Sequence, residues 1–213
     1  MDNISVIIRN KNEQEYIGFA IQSCLDFFEK PEIIIVDNDS TDSSLDIVNL
    51  FSDRTKINVV NNPNYTPGSS INMGVSKSKN NYILILSAHA QIIKLDFELI
   101  KKHLETNIAV FGKQIPVYKG KKITPRYIWK HFSNIKISNM FSESENRFFF
   151  HNAFSFFLRK NLIKYPFGES FPGKEDRFWA NKMVEIGNKF LYDPDLVCNH
   201  YYTNGGATWK GIG

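Results

Sequence analysis

Short apolar runs alternate with helix-spaced apolar positions along the first half of the chain. Ile4-Ser5-Val6-Ile7-Ile8, Glu32-Ile33-Ile34-Ile35-Val36, Ile57-Asn58-Val59-Val60, Tyr82-Ile83-Leu84-Ile85-Leu86 and Ala109-Val110-Phe111-Gly112 are bounded by polar residues and mostly rich in β-branched side chains, as buried strands are. Tyr16, Ile17, Ala20, Ile21, Cys24, Leu25 and Phe28 instead recur at a helical period, and Asn12 with Glu15 three residues later forms a capping-box pattern ahead of them. Further helices are predicted over 43–51, with Leu45, Val48 and Phe51 inward, over 69–79, with Ile71 and Val75 inward, and over 96–105. This alternation predicts an open, mainly parallel α/β sheet flanked by helices.

After Lys113 the period fades. Residues 119–122 read as a basic, solvated turn, and 127–150 mix aromatic with polar residues as a surface-covering segment does. Order returns with a strand over 153–158, a helix over 177–186 stopped by Gly187, and a late strand Phe190-Leu191-Tyr192; the glycine-rich tail 203–213 is expected to be mobile. Phe148-Phe149-Phe150 and Tyr201-Tyr202 fit core packing better than sugar or lipid contact.

With 213 residues the chain is expected to form one domain, and 42% hydrophobic with 23% charged residues excludes disorder. A net charge of +4 is too modest for a nucleic-acid-binding protein. No signal layout and no apolar run of about 18 residues is present, so a cytoplasmic location is expected. Cys24 and Cys198 are too far apart in sequence for a metal pair and read as buried thiols.

Ligands of open α/β sheets bind at the carboxyl ends of the strands. Three such ends are polar here, at residues 9–12, 37–42 and 87–91, and they should converge. No glycine-rich phosphate loop follows any strand. A carboxylate such as Asp37 repels a diphosphate but accepts hydrogen bonds from a base N–H or a ribose hydroxyl, which favours a nucleoside. Phosphate charge would then fall to Arg9, Lys11, His89, Lys113 or a metal.

The run 4–13, Ile35-Val36-Asp37-Asn38-Asp39-Ser40-Thr41-Asp42-Ser43, Asn72-Met73-Gly74 and Glu175-Asp176-Arg177-Phe178-Trp179 together resemble the family 2 glycosyltransferases of GT-A fold, in that family's order over about residues 4 to 200. The resemblance implies a single Rossmann-like GT-A domain, with a nucleotide-sugar half over about 1–112 and a smaller acceptor and catalytic half over about 113–213. It implies inverting transfer of a sugar from a nucleotide-sugar to the hydroxyl of a glycan or lipid-linked acceptor, in bacterial surface polysaccharide assembly, with peripheral contact at the inner membrane face. Asp176, with Glu175 beside it, matches the catalytic acids, Asp176 being the base. Arg9, Asn10, Asn12, Glu13, Asp37, Asp39, Asn72, Ser87 and His89 fall on the nucleotide side, with Asp39 at a position where the family often has glycine.

The departure is Ser87-Ala88-His89, where the family usually has an Asp-x-Asp pair for a divalent cation. Two readings stay open. His89, joined by His200, holds Mn2+ or a similar ion, Mg2+ being poorly served by imidazole; or His89, Lys113 or Arg9 donates directly to the leaving diphosphate. His103, His131 and His151 carry no assigned role. A catalytically silent module that binds a nucleotide or glycan is the rival reading; a nucleotidyltransferase is weaker for want of a glycine-rich loop.

Overall fold

A computed structural model describes residues 2–118, 121–122 and 127–204. In chain order the elements are β1 (Ile4–Asn10), α1 (Ile17–Phe27), β2 (Glu32–Asp37), α2 (Ser44–Asn49), β3 (Ile57–Asn61), α3 (Pro67–Lys77), β4 (Tyr82–Ser87), β5 (Ala90–Lys94), α4 (Phe97–Thr106) and β6 (Ala109–Tyr118). They continue with β7 (Lys121–Lys122), β8 (Ile137–Ser138), β9 (Phe141–Ser142), β10 (Arg147–Phe148), β11 (Phe154–Leu158), α5 (Arg159–Lys164), α6 (Glu175–Glu185) and β12 (Phe190–Tyr201).

The central sheet runs β3-β2-β1-β4-β11-β6-β12-β5, with β7 on β6 and β8 on β12. β3, β2, β1 and β4 are mutually parallel, β12 is parallel to β6, and β11 and β5 run against their neighbours. The mainly parallel α/β expectation therefore holds, and one sheet draws on strands from both halves of the chain. Strands β1, β2 and β4 are buried almost throughout because helices cover both faces. One face packs Val6, Ile8, Ile33 and Leu84 against α1 residues such as Ile17 and Ile21. The other packs Ile7, Ile34 and Ile85 with α3, and continues into an aromatic core of Phe111, Phe149, Phe150, Phe157, Trp179 and Tyr192.

Several boundaries differ from the sequence-based ones. Asn12 does not cap α1: it sits at φ +53°, its side-chain oxygen accepts the Thr41 N–H at 2.8 Å, and the helix starts four residues past the expected cap region, at Ile17. A tertiary partner has won over the local capping bond. The capping box lies instead at α3, where Thr66 and Ser69 bond each other's backbone. β6 extends to Tyr118 and β12 to Tyr201, while β5 and α5 occupy stretches for which the sequence predicted no element. The basic turn falls partly outside the described residues, Lys121–Lys122 forming β7 against Val117 and Tyr118; residues 205–213 of the tail lie outside them as well. Phe149 and Phe150 are core, and Cys24 and Cys198 are buried free thiols, as expected. Among the described residues no helix is long and apolar enough to cross a membrane.

Gly74 lets α3 approach β1. A Cβ there would lie 2.4 Å from Cγ2 of Ile7, a fully buried strand residue with no room to retreat. Gly74→Ala gains about 1 kcal/mol of helix propensity but overpacks a sheet-helix contact, which costs about 1–3 kcal/mol. A lower urea midpoint is expected, with the Gly74→Ala, Ile7→Ala double variant losing less than the sum of the two single variants because the clashing γ carbons are then gone.

Candidate active site

Parallel pairing on both sides of β1 aligns Asn10 with Asp37 and Arg9 with Ser87. Asn10 donates from Nδ2 to Asp37 Oδ1 at 2.7 Å and to Ser40 Oγ at 3.1 Å. Ser40 donates its N–H to Asp37 Oδ2 at 2.9 Å and its hydroxyl to Oδ1 at 2.6 Å. The Asp37 carboxylate, 4% exposed, thus uses three of about four acceptor positions. Asn10 Oδ1 is buried with no hydrogen-bond partner among the described residues. This corner presents acceptors, which suits a donor-bearing base or sugar. Asp39 points outward at φ +50° and accepts from Asn61 Nδ2 at 2.9 Å; its left-handed backbone is the conformation glycine adopts most readily. Lys11 Nζ donates to the carbonyls of Asn38 and Asp39 at 2.5 and 2.6 Å. The β1–α1 and β2–α2 loops are stitched further by Asn12 N–H to Ser40 Oγ and Glu13 N–H to Ser44 Oγ.

On the other side of β1, Arg9 Nη1 donates to Glu175 Oε1 at 3.3 Å and Nη2 to Asn152 Oδ1 at 3.2 Å, while Asn152 Nδ2 donates to the same Glu175 oxygen at 2.8 Å. Burial acts to lower the Arg9 pKa, but Tyr65, Glu175 and Asp176 outweigh it and hold the guanidinium charged. Glu175 is buried and Asp176 half-buried, its Oδ1 accepting the Arg177 N–H at 2.8 Å. Desolvation, then the charge of Glu175, pushes the Asp176 pKa up to about 7 against the opposing pull of Arg177 and Arg147. A carboxyl group so placed ionises near neutrality and can accept a proton from a hydroxyl.

Three histidines line the far end of the same edge. Ala153 N–H and Gln114 Nε2 both approach His151 Nδ1, at 3.4 and 3.0 Å. A backbone N–H can only donate, so His151 Nδ1 is an acceptor and Gln114 turns its NH2 toward it. Gln114 Oε1 then accepts the Nδ1–H of His200 at 2.8 Å, which leaves the His200 lone pair on Nε2. Burial drives both rings toward the neutral form, His151 down to about 3 with Arg177, Arg9, Arg147 and His89 adding to the effect. His89 lies with its ring 4.8 Å from that of His200, and its Nδ1 bonds Glu13 Oε1 at 2.9 Å. Glu13 Oε2 is buried and has no hydrogen-bond partner among the described residues.

His89 and His200 are therefore neighbours, yet among the described residues no three of His, Cys, Asp and Glu converge as a metal-binding group. These donors do not fit the divalent cation implied by the resemblance. Lys113 is bonded to Asn134. Ser87 is buried, its N–H donating to Ala153 O at 2.9 Å. Asn72 is bonded elsewhere than the Asp37 corner: its amide donates to Phe167 O and Glu169 Oε1, both at 2.8 Å, and its oxygen accepts the Phe167 N–H. Gln114, His151, Asn152 and Tyr65 belong to the site without any sequence signal, since each finds its partner only through the fold. A cavity of about 620 Å3 opens between the β1–α1 loop, including Lys11, Glu13 and Tyr16, and Tyr118, Tyr202 and Thr203 across from it.

Residues 5–165 match the model of glycosyl transferase family 2. A stretch of 91 residues is 33% identical to an uncharacterized glycosyltransferase of Haemophilus influenzae, covering 41% of this chain and 36% of that protein. Among solved structures, S. aureus TarS 1–349 in complex with UDP-GlcNAc matches with a TM-score of 0.71 at 16% identity, over 99% of this chain and 61% of that one. The complex of TarS 1–349 with UDP gives 0.72 at 18% identity, over 94% and 60%. The chain thus spans less than two thirds of each of these relatives, and the structural likeness is one of fold.

Gln114→Leu keeps most of the side-chain volume but strips the hydrogen bonds from His200 Nδ1 and, in part, His151 Nδ1. A loss of about 1–3 kcal/mol in urea unfolding is expected, together with a changed tautomer balance of both rings by 15N NMR.

Proposed function

Because the chain belongs to glycosyl transferase family 2, we propose that it transfers a sugar from a nucleotide-sugar donor to an acceptor hydroxyl with inversion at the anomeric carbon. The observation that carries this reading is the divergence of two consecutive residues at the end of β1. Asn10 bonds Asp37 in the nucleoside corner, and Arg9 bonds Glu175 at the start of the helix that presents Asp176. Donor recognition and proton acceptance are thereby anchored one residue apart. In this reading the first 112 residues or so bind the donor and the remainder forms the acceptor side.

Asp37 and Asn10 Oδ1 accept hydrogen bonds from the base or ribose. Asp176, ionised, takes the proton of the acceptor hydroxyl as its oxygen attacks the anomeric carbon from the face opposite the phosphate. The bond from that carbon to the phosphate oxygen breaks, and the nucleoside diphosphate leaves with the electron pair. His89, anchored through Nδ1 to Glu13, and Lys11, which adds positive charge while bonded only to neutral carbonyls, face the departing phosphate. The relatives crystallised with UDP and UDP-GlcNAc make UDP-GlcNAc the first donor to try. A glycan or lipid-linked acceptor, a role in cell-surface polysaccharide assembly and a cytoplasmic, membrane-peripheral location complete the proposal.

The test is nucleotide release from a panel of nucleotide-sugars, headed by UDP-GlcNAc, with glycan acceptors and with and without Mn2+ or Mg2+. Asp176→Asn should lower turnover by at least about 100-fold while retaining UDP binding. Binding of UDP without turnover of any donor on any acceptor would favour the silent module. Full turnover by the variant would remove Asp176 as the base.

The same group makes two pH predictions. Activity should fall as the pH drops below about 7, where Asp176 gains its proton. For stability the sign is opposite. The folded protein holds a proton on Asp176 that the unfolded chain, near its ordinary 3.8, has released, so wild-type stability declines as pH rises between these values. Asp176→Asn should therefore melt higher than wild type at pH 8, with the gain vanishing by about pH 4 in thermal scans.

A further inference from the structure

The first turn of α6 lacks an N-cap bond. Lys174, at its N-cap, lies in the left-handed region at φ +68° after Gly173 at φ +157°, and makes no side-chain capping bond. The later turns are anchored in the aromatic core through Trp179, Ala180 and Met183. At the start, Arg177 pairs with Glu145 at 3.4 Å and Phe178 stacks on Phe171, both near the surface; the buried tie to the sheet is Glu175, whose Oε1 receives both Arg9 and Asn152 while Arg9 reaches Asn152 with its other nitrogen. The three side chains close a triangle between β1, the segment before β11 and α6. Arg9 and Glu175 are 166 residues apart in sequence, and their side chains are only 15% and 6% exposed.

We infer that Arg9, Asn152 and Glu175 form a strut that positions the first turn of α6, and with it Asp176, at the carboxyl end of β1, Glu175 being a positioning residue and not a second proton acceptor. The functional consequence rests on the reading of Asp176 as the base. A buried ion pair adds little net stability after desolvation, but losing one partner leaves an uncompensated charge. The arrangement is thus directional. Glu175 Oε1 already accepts two hydrogen bonds inside the protein, whereas Asp176 is half-buried and accepts only a backbone N–H at Oδ1. The charged groups that act on Asp176 are Glu175 and Arg177 of its own helix, Arg147 of β10 and Arg9 of β1. Removing the charge of Glu175 leaves the three cations opposite Asp176 less compensated.

The experiment uses the full chain and follows the Asp176 carboxyl by 13C NMR titration. Glu175→Gln, which keeps the shape and an accepting oxygen, should move the Asp176 midpoint down by about one pH unit or more, with UDP affinity by calorimetry unchanged within about twofold. Arg9→Met should lower the urea midpoint, and adding Glu175→Gln should recover most of that loss, because the stranded charge is then gone. An unmoved Asp176 midpoint, or additive effects in the Arg9 and Glu175 cycle, would overturn the strut. So would loss of UDP-GlcNAc turnover by Glu175→Gln as complete as that by Asp176→Asn. The titration and the cycle are read without turnover, so they decide on the strut even if Asp176 proved not to be the base.

Discussion

β1 is hydrogen-bonded in parallel on both sides, and this constraint determines where chemistry can occur in the molecule. Its apolar residues from Ile4 to Ile8 are almost wholly buried, so neither face can be exchanged for solvent and the register with β2 and β4 cannot slip by one residue. Once the register is set, the polar ends of the three strands must fall on one edge. The pleat then sends Arg9 and Asn10 to opposite faces. One residue step separates the Asn10–Asp37 corner from the support of α6, and a shift of β1 would disturb both together.

Building a polar site on a buried sheet requires that its groups be satisfied before a ligand arrives. Ser40 serves Asp37, Asn10 and Asn12 at once, and Ser44 and Asp42 tie the same two loops at the next turn. Gln114 does the equivalent for His200 and His151 beside the aromatic cluster of Trp129 and Phe132. Such networks hold loops in place because each broken bond would strand a desolvated partner. Asn10 Oδ1 and Glu13 Oε2 depart from this pattern, as buried acceptors without a hydrogen-bond partner among the described residues. Both lie on the edge where the strand ends meet.

The first half of the fold was readable because each element has one period and one job. Strands β1, β2 and β4 are continuous apolar runs, and α1 and α4 show a single inward face. β6 and β12 were cut short in the sequence because their later residues break the pattern: Lys113, Gln114 and Pro116 in one, and Asp193, Pro194 and Asp195 at the bulge in the other. β5 was hidden because an edge strand with Lys94 exposed reads as a polar loop. The candidate site divides in the same way. Asp37 and Asp176 stand in local motifs, one at a strand end and one in the first turn of a helix. Asn152, Gln114 and His151 come from the segment without a period, and their roles depend on partners 23 to 143 residues away. The mistaken cap at Asn12 has the same origin, a local bond outcompeted by a neighbour 29 positions along.

Charge, finally, is distributed so that the cation nearest the start of α6 is already compensated. Arg9 faces Glu175 and Asp176 together, two carboxyl groups against one guanidinium, and the excess negative charge is relieved by the proton that Asp176 retains near neutral pH. Lys11 is different, because the carbonyls of Asn38 and Asp39 orient it without neutralising it. His89 is paired through Nδ1 with a single carboxylate, leaving Nε2 for whatever enters. An anion arriving at this edge would thus meet its attraction at Lys11 and its repulsion at Glu175. On the proposed function, that polarity would orient a nucleotide-sugar with its phosphate toward Lys11 and its sugar toward α6, the order that attack by a hydroxyl activated at Asp176 would require.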